Sequence, residues 1–304
     1  MATIALELVP TAKAGGETQA RQEAQKVKKQ LEEHGLENII NTILVPQIVQ
    51  EDGDRPVPIT EKLAPEEFYR SIQSILPKDF ILTQVTAFTP RDALEAHIRR
   101  LRADGIERVV FVGVPRVFDP ATVVGPSPAE LIAQLGAAVP SRGIILIPTR
   151  PGEVDRCVAK LEAGATFAVT QLLFSHHIVT FLRQLAARTS LRPEIVLSFG
   201  YVPKLERQRG LIQWLIRDAT PQVEQELRWI QQLAPLAFEA KKKRLRELYD
   251  RIVHAVGALD FPIGLHFEAP YGVSKPACET FRDMLQTWSP NEKAAVGTQP
   301  KTVR

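Results

Sequence analysis

Two segments far apart in the chain carry the side chains best suited to chemistry. Leu6-Glu7-Leu8-Val9-Pro10 is an apolar run holding one carboxylate. Ala163-Gly164-Ala165-Thr166-Phe167-Ala168-Val169-Thr170-Gln171-Leu172-Leu173-Phe174 is a second apolar run, with the Gln171 amide near its end. A carboxyl among apolar neighbours is desolvated, which raises its pKa and suits a general acid near neutral pH. Gln171 supplies a donor and an acceptor, matching a heterocycle that alternates NH and N groups. Plainer roles exist for both. Glu7 could pair with a buried Arg or Lys, and Gln171 could tie down a neighbouring loop.

Bringing the two together is a matter of topology. Candidate strands are Ile4–Val9, Asn38–Val45, Phe80–Thr86, Arg108–Val112, Gly143–Ile147, Ala165–Leu172, Glu194–Phe199 and Phe261–Phe267. They are rich in Ile, Val, Leu and Phe with little alternation, as expected of strands buried on both faces of a parallel sheet. Amphipathic helix candidates are Thr18–Glu33, Pro65–Ser74, Pro90–Asp104, Pro128–Ala138, Glu153–Ala163, His177–Arg188, Leu205–Asp218 and Ala277–Thr287. Thr89-Pro90 reads as an N-cap with proline in the first turn, and Ser127-Pro128-Ala129-Glu130 as a capping box. Gly35, Gly105 and Gly164 stand where helices should end.

Eight such units predict an α/β chain folded as a single-domain (β/α)8 TIM barrel over residues 1–288. In that fold the C-terminal strand ends share one mouth, where Glu7 and Gln171 would meet. An open doubly wound sheet is the competitor. It is disfavoured because Pro10-Thr11-Ala12-Lys13-Ala14-Gly15-Gly16 lacks the GxGxxG spacing. Residues 46–58 form a long acidic loop, 221–256 an extra helical insertion before the last strand, and 289–304 a polar, flexible tail.

Composition excludes several classes. The 304 residues carry a net charge of only +3, so neither nucleic acid nor membrane is expected as a partner. The run Lys241-Lys242-Lys243-Arg244 reads as a solvated helix face. Two cysteines, Cys157 and Cys278, show no metal-ligand spacing and predict no disulfide framework, consistent with a cytoplasmic protein. No signal peptide or membrane-length apolar run is visible.

The sequence resembles the methylenetetrahydrofolate reductase family over about residues 4–285. Leu6-Glu7-Leu8-Val9-Pro10 matches the frame of the family's first strand, Phe-Glu-Phe-Phe-Pro. Ala163 to Phe174 reproduces its strand-six pattern, with Gly164, Thr170, Gln171 and Phe174 in place. Gly200-Tyr201-Val202-Pro203 and Ala103-Asp104-Gly105-Ile106 are weaker similarities. The resemblance implies that Glu7 protonates the pterin N5 of methylenetetrahydrofolate. The iminium so formed takes a hydride to become the methyl group, for methionine synthesis. It implies folate contacts from Gln171, Thr170, Tyr201, Lys204 and Glu268. No appended C-terminal regulatory domain is expected.

The departures cluster on one ligand. Where the family carries Arg-Gly-Asp after strand four, this chain has Val112-Gly113-Val114-Pro115-Arg116, with Val114 at or near the carboxylate position. Pro148-Thr149-Arg150-Pro151 replaces the family's Pro-Glu-x-His-Pro, and Leu82-Thr83-Gln84-Val85-Thr86 lacks its His-Leu-Thr-Cys. The expectation is therefore a reductase without tightly bound flavin or metal. NADH or NADPH would occupy the vacated space near Thr149, Arg150 and Gln84 and donate hydride directly. Glu51, Asp52, Asp54 and Glu268 are candidates to replace the lost acid. His266 reads as a satisfied barrel histidine, and His176-His177 as a helix start rather than a metal site. The alternatives are a flavin-dependent member using FAD, an inactive folate- or nucleotide-binding barrel acting as a sensor or partner protein, and an unrelated barrel lyase or transferase.

Overall fold

The computed structural model describes residues 1–49, 60–114, 119–201, 220–270 and 272–288. Eight strands run β1 (Ile4–Glu7), β2 (Thr42–Val45), β3 (Asp79–Val85), β4 (Arg108–Val112), β5 (Ser141–Leu146), β6 (Phe167–Thr170), β7 (Glu194–Gly200) and β8 (Ile263–Glu268). All are parallel and pair in chain order, and β1 closes on β8. This is the (β/α)8 barrel that the sequence predicts. The described helices are α1 (Gly16–Glu33), α2 (Pro65–Ile72), α3 (Arg91–Ala103), α4 (Pro128–Leu135), α5 (Glu153–Glu162), α6 (His177–Arg188), α7 (Pro221–Leu233), α8 (Phe238–Gly257) and α9 (Lys275–Leu285). Two of them, α7 and α8, lie between β7 and β8, in the segment read as a helical insertion. The expected helix over 205–218 falls outside the described residues.

Strand alternation sorts the apolar side chains into two cores. Ala5, Leu44, Ile81, Val110, Phe167, Val169 and Val196 fill the barrel. Leu6, Ile43, Leu82, Val109, Ile144, Ala168, Ile195 and Leu197 face the helices. Each helix offers the strands one stripe: α1 buries Ala20, Ala24, Val27 and Leu31, spaced at turns of the helix. Gly143 in β5 is required by a neighbour, since a Cβ there would sit 2.4 Å from the Phe167 ring.

The N-terminal end of the barrel is floored by polar groups. Arg108 donates to Thr3 Oγ1 at 3.0 Å and to Glu194 Oε2 at 3.1 Å, and its guanidinium lies 4.8 Å from the Phe167 ring centroid. The Thr3 N–H completes the ring of contacts by donating to Glu194 Oε1 at 3.1 Å. Glu194→Ala would leave Arg108 half-buried without its carboxylate. A stability loss of about 2 kcal/mol is expected in urea unfolding, below the value for a fully buried pair because both side chains keep some solvent.

Several local expectations need correction. The helix expected from Pro90 with Thr89 as its cap starts one residue later, with Pro90 as its cap and no side-chain capping bond. Asn38–Ile40 lies in a turn rather than in β2. Asn41 stitches that turn to the chain start by accepting from the Ile4 N–H and donating to the Ala2 carbonyl. The basic run is not a plain solvated face. Lys241 is buried at 8% exposure, and Lys242 bridges α8 and α9 through Glu239 and Asp283 at 3.1 and 3.2 Å. The Ser127–Glu130 capping box is present as read.

Candidate active site

The C-terminal strand ends form a mouth in which a few polar groups interrupt an apolar wall. Glu7 ends β1 on the same face as Ala5, so it points into the barrel. Burial pushes its pKa up to about 7. Among the described residues no cation lies within ion-pair distance of it, so the paired structural role is not seen there. Glu7 opens into a cleft of about 280 Å³ between the β1 and β8 loops, which Glu23 and Lys62 also line.

Gln171 follows β6 on the inward face shared with Val169, its N–H bonded to the Leu146 carbonyl at 2.8 Å. It lines a larger cavity of about 840 Å³. That cavity runs from Val112 and Ile145 at the mouth to the start of α4, with Arg150, Arg156 and Lys160 among its walls. Burial lowers the Lys160 pKa, and a phosphate there would raise it again as well as pair with it. Arg156 is held by Glu153 at 2.8 Å, and the uncharged Val114 lies on the same cavity wall.

The strand-six motif divides into residues that serve the fold and one that lines the cavity. Gly164 takes φ +108°, and its carbonyl accepts from Arg142 Nε at 2.7 Å, so this glycine serves the turn. Thr170 is 2% exposed, and its hydroxyl accepts the Ser198 N–H at 2.8 Å, tying β6 to β7. Gln171 is the member that reaches the cavity. After it, Phe174 packs on Trp229 at 6.1 Å, and Ser175 donates to the buried Glu226 at 2.5 Å. Helix α7 thereby clamps the β6 loop. His177 opens α6 as expected, with Nε2 3.1 Å from Gln225 Oε1. No cluster of metal-ligating side chains occurs among the described residues.

On β8, His266 and Glu268 share the inward face with Gly264, and the register that sets Leu6 beside Phe267 brings Glu268 beside Glu7. Burial and the Glu7 charge raise the Glu268 pKa well above the carboxylate range, and its carboxyl lies within hydrogen-bonding reach of Ser198. The Ser198 hydroxyl donates to the Thr170 carbonyl at 2.6 Å and lies 2.9 Å from His266 Nδ1. Burial drops the His266 pKa to about 3, so the ring is neutral. With the serine proton committed to Thr170, His266 must carry its proton on Nδ1 and donate it to Ser198.

Two further expected contacts, like Thr170, do not reach the mouth, for one reason: strand parity. Gln84 faces the helices and donates to the Val85 carbonyl at 2.9 Å. Tyr201 is 4% exposed and packs edge-on to Phe238 of α8 at 5.9 Å. Thr149 lines a side pocket with Arg150, and its carbonyl accepts from Thr220 at 3.5 Å. Glu51, Asp52, Asp54 and Lys204 lie outside the described residues. Ser198, Lys160 and Arg156 were missed. A signal existed for Ser198, the one hydroxyl in an otherwise apolar Ile195–Phe199.

Together these features describe a parallel barrel whose mouth holds a desolvated carboxyl in one cleft and an amide on the wall of another, the frame on which barrel chemistry is built. The chain belongs to the mycobacterial methylenetetrahydrofolate reductase family, whose model matches residues 1–292. No curated protein sequence matches it. Among solved structures it is similar to an uncharacterized protein from Clostridium thermocellum that binds two copies of 5-methyl-5,6,7,8-tetrahydrofolic acid. The identity is 16%, with 93% of each chain covered and a TM-score of 0.68, which supports the fold. The carboxyl transferase domain of Rhizobium etli pyruvate carboxylase shares 10% identity at a TM-score of 0.39, covering 81% of this chain and 48% of that one. No helix among the described residues is long and apolar enough to cross a membrane.

Proposed function

We propose that this protein reduces 5,10-methylenetetrahydrofolate to 5-methyltetrahydrofolate with hydride taken directly from NADH or NADPH, without a flavin. The observation that carries the reading is Glu7, a desolvated carboxyl at the barrel mouth whose pKa is pushed up to about 7. Such an acid is half-protonated where a reductase works, and the family supplies the substrate class.

The chemistry needs one adjustment to the protonation site inferred from sequence. The new methyl remains on N5, so the bond that breaks joins the bridging carbon to N10. The proton from Glu7 therefore finishes on N10, and the N5 iminium accepts the hydride. Gln171 would hold the pterin edge. The cavity walled by Arg150, Arg156 and Lys160 offers cations for the dinucleotide phosphates and an apolar end near Val112 and Ile145 for the nicotinamide. Val114 removes the carboxylate that a flavin-dependent relative would use, which favours direct transfer.

The test is an absorbance spectrum of the purified protein, followed by methylenetetrahydrofolate-dependent oxidation of NADH and NADPH. Turnover without a flavin band is the expected result. A stoichiometric flavin would overturn direct transfer, and absence of turnover with either nicotinamide would overturn the reductase reading.

A further inference from the structure

Resting on that reading, we infer that Glu268 is a second working carboxyl. It stays protonated beside Glu7 and donates a hydrogen bond to the Glu7 carboxylate that forms when the substrate takes its proton.

Glu7 and Glu268 end neighbouring strands at the same level and point into the same mouth. Two carboxylates so placed in a low-dielectric wall cannot both be charged cheaply. One has to keep a proton, and the surroundings decide which. Burial raises both carboxyls, so the choice falls to the hydrogen bonds around them.

The hydrogen bonds around Ser198 place the proton on Glu268. Ser198 gives its proton to Thr170 and has two lone pairs left. Neutral His266 fills one of them through Nδ1–H. The other can accept only from a protonated Glu268. An ionised Glu268 would face a serine oxygen with no proton to give. His266 is thus a positioning residue: it is 2% exposed, and its Nε2 has no partner among the described residues. It fixes the serine, and the serine holds one end of the Glu268 carboxyl. Among the described residues, few other titratable or charged groups surround the pair. Glu23 of α1 and Lys62 before α2 line the cleft that Glu7 opens into. From β7, the uncharged Ser198 faces the pair.

In the reaction, Glu7 gives its proton to N10 as the carbon–nitrogen bond breaks. The charge left on Glu7 is then met by the Glu268 O–H. Hydride arrives at the iminium carbon, and solvent returns one proton to Glu7.

The experiment has two arms. The first compares Glu268→Ala with Glu268→Gln. Alanine removes the donor, and a kcat loss of about 10–100-fold with KM little changed is expected, the usual worth of a hydrogen bond to a charged group. Glutamine keeps a donor without a charge and should recover most of that loss. If Glu268 instead worked as an anion, glutamine would be as impaired as alanine, and the inference would fall. The second arm needs no turnover: carboxyl ¹³C NMR titration of glutamate-labelled protein, with Glu7 and Glu268 assigned by their Gln variants. Glu268 should titrate above Glu7 and move to lower pH in Glu7→Gln. Two independent titrations, or a Glu268 ionised at pH 7, would overturn the inference. If wild-type protein shows no folate-dependent oxidation, the reductase reading fails while this arm still judges the pair.

Discussion

Glu7→Gln is expected to lower turnover by roughly 10²–10⁴-fold, the range for a positioned proton donor, while leaving the barrel folded. Glutamine matches the shape of the protonated acid, so substrate binding should persist and the loss should fall on kcat. The wild-type enzyme should carry the complementary signature. Its rate should be level on the acid side of about pH 7 and decline above it, as Glu7 loses the proton it must deliver. In the variant the residual rate should lose that limb. A Glu7→Gln protein retaining a tenth or more of wild-type kcat, or a wild-type profile flat through pH 8, would remove Glu7 from the role of acid.

The second large effect is on stability and lies away from the chemistry. Glu226 on α7 is 4% exposed, and its pKa is pushed by burial from an ordinary 4.5 up to about 7, against the Ser175 hydrogen bond that pulls it down. The sign follows from proton counting. Between pH 4.5 and 7 the unfolded chain releases this proton while the folded one keeps it, so folding stability falls as pH rises through that window. Below it there is no penalty, and above it the penalty is complete. Glu226→Gln keeps an acceptor for Ser175 and never ionises. It should leave stability at pH 4 nearly unchanged and raise it by about 3 kcal/mol at pH 8, read as a shift of the urea midpoint. An equal change at both pH values would show that Glu226 is not held protonated by the fold.

The barrel was legible in the sequence because buried parallel strands leave a coarse signal. Runs such as Arg108–Val112 and Glu194–Phe199 need no tertiary knowledge to find, and the caps at Ser127 and Gly164 mark where helices start and stop. Glu7 and Gln171 were legible for a related reason: each is a polar group in an apolar run, and strand parity carries it inward. The same parity misled at Gln84, Thr170 and Tyr201. These sit one residue out of phase with the mouth, and their polar atoms or rings are spent on neighbouring elements. Sequence alone does not show phase where a strand has apolar residues on both faces. Nor could it show the Glu7–Glu268 pair, which depends on barrel closure joining the first strand to the last. The basic run around Lys241 shows the converse error, since a charge pattern cannot reveal that α9 supplies Asp283 opposite Lys242.

The polar floor of Arg108, Glu194 and Thr3 also decides the traffic of the site. Above that floor the interior is packed by Ala5, Leu44, Ile81, Val110, Phe167, Val169 and Val196, so whatever enters beside Glu7 must leave by the way it came. If folate and nicotinamide both use this mouth, the larger cavity near β4 and β5 and the smaller cleft near β1 and β8 become two berths sharing one door. The reactant seated deeper must then arrive earlier and depart later than its partner. Order of binding would be imposed by the closed end of the barrel, remote from either ligand.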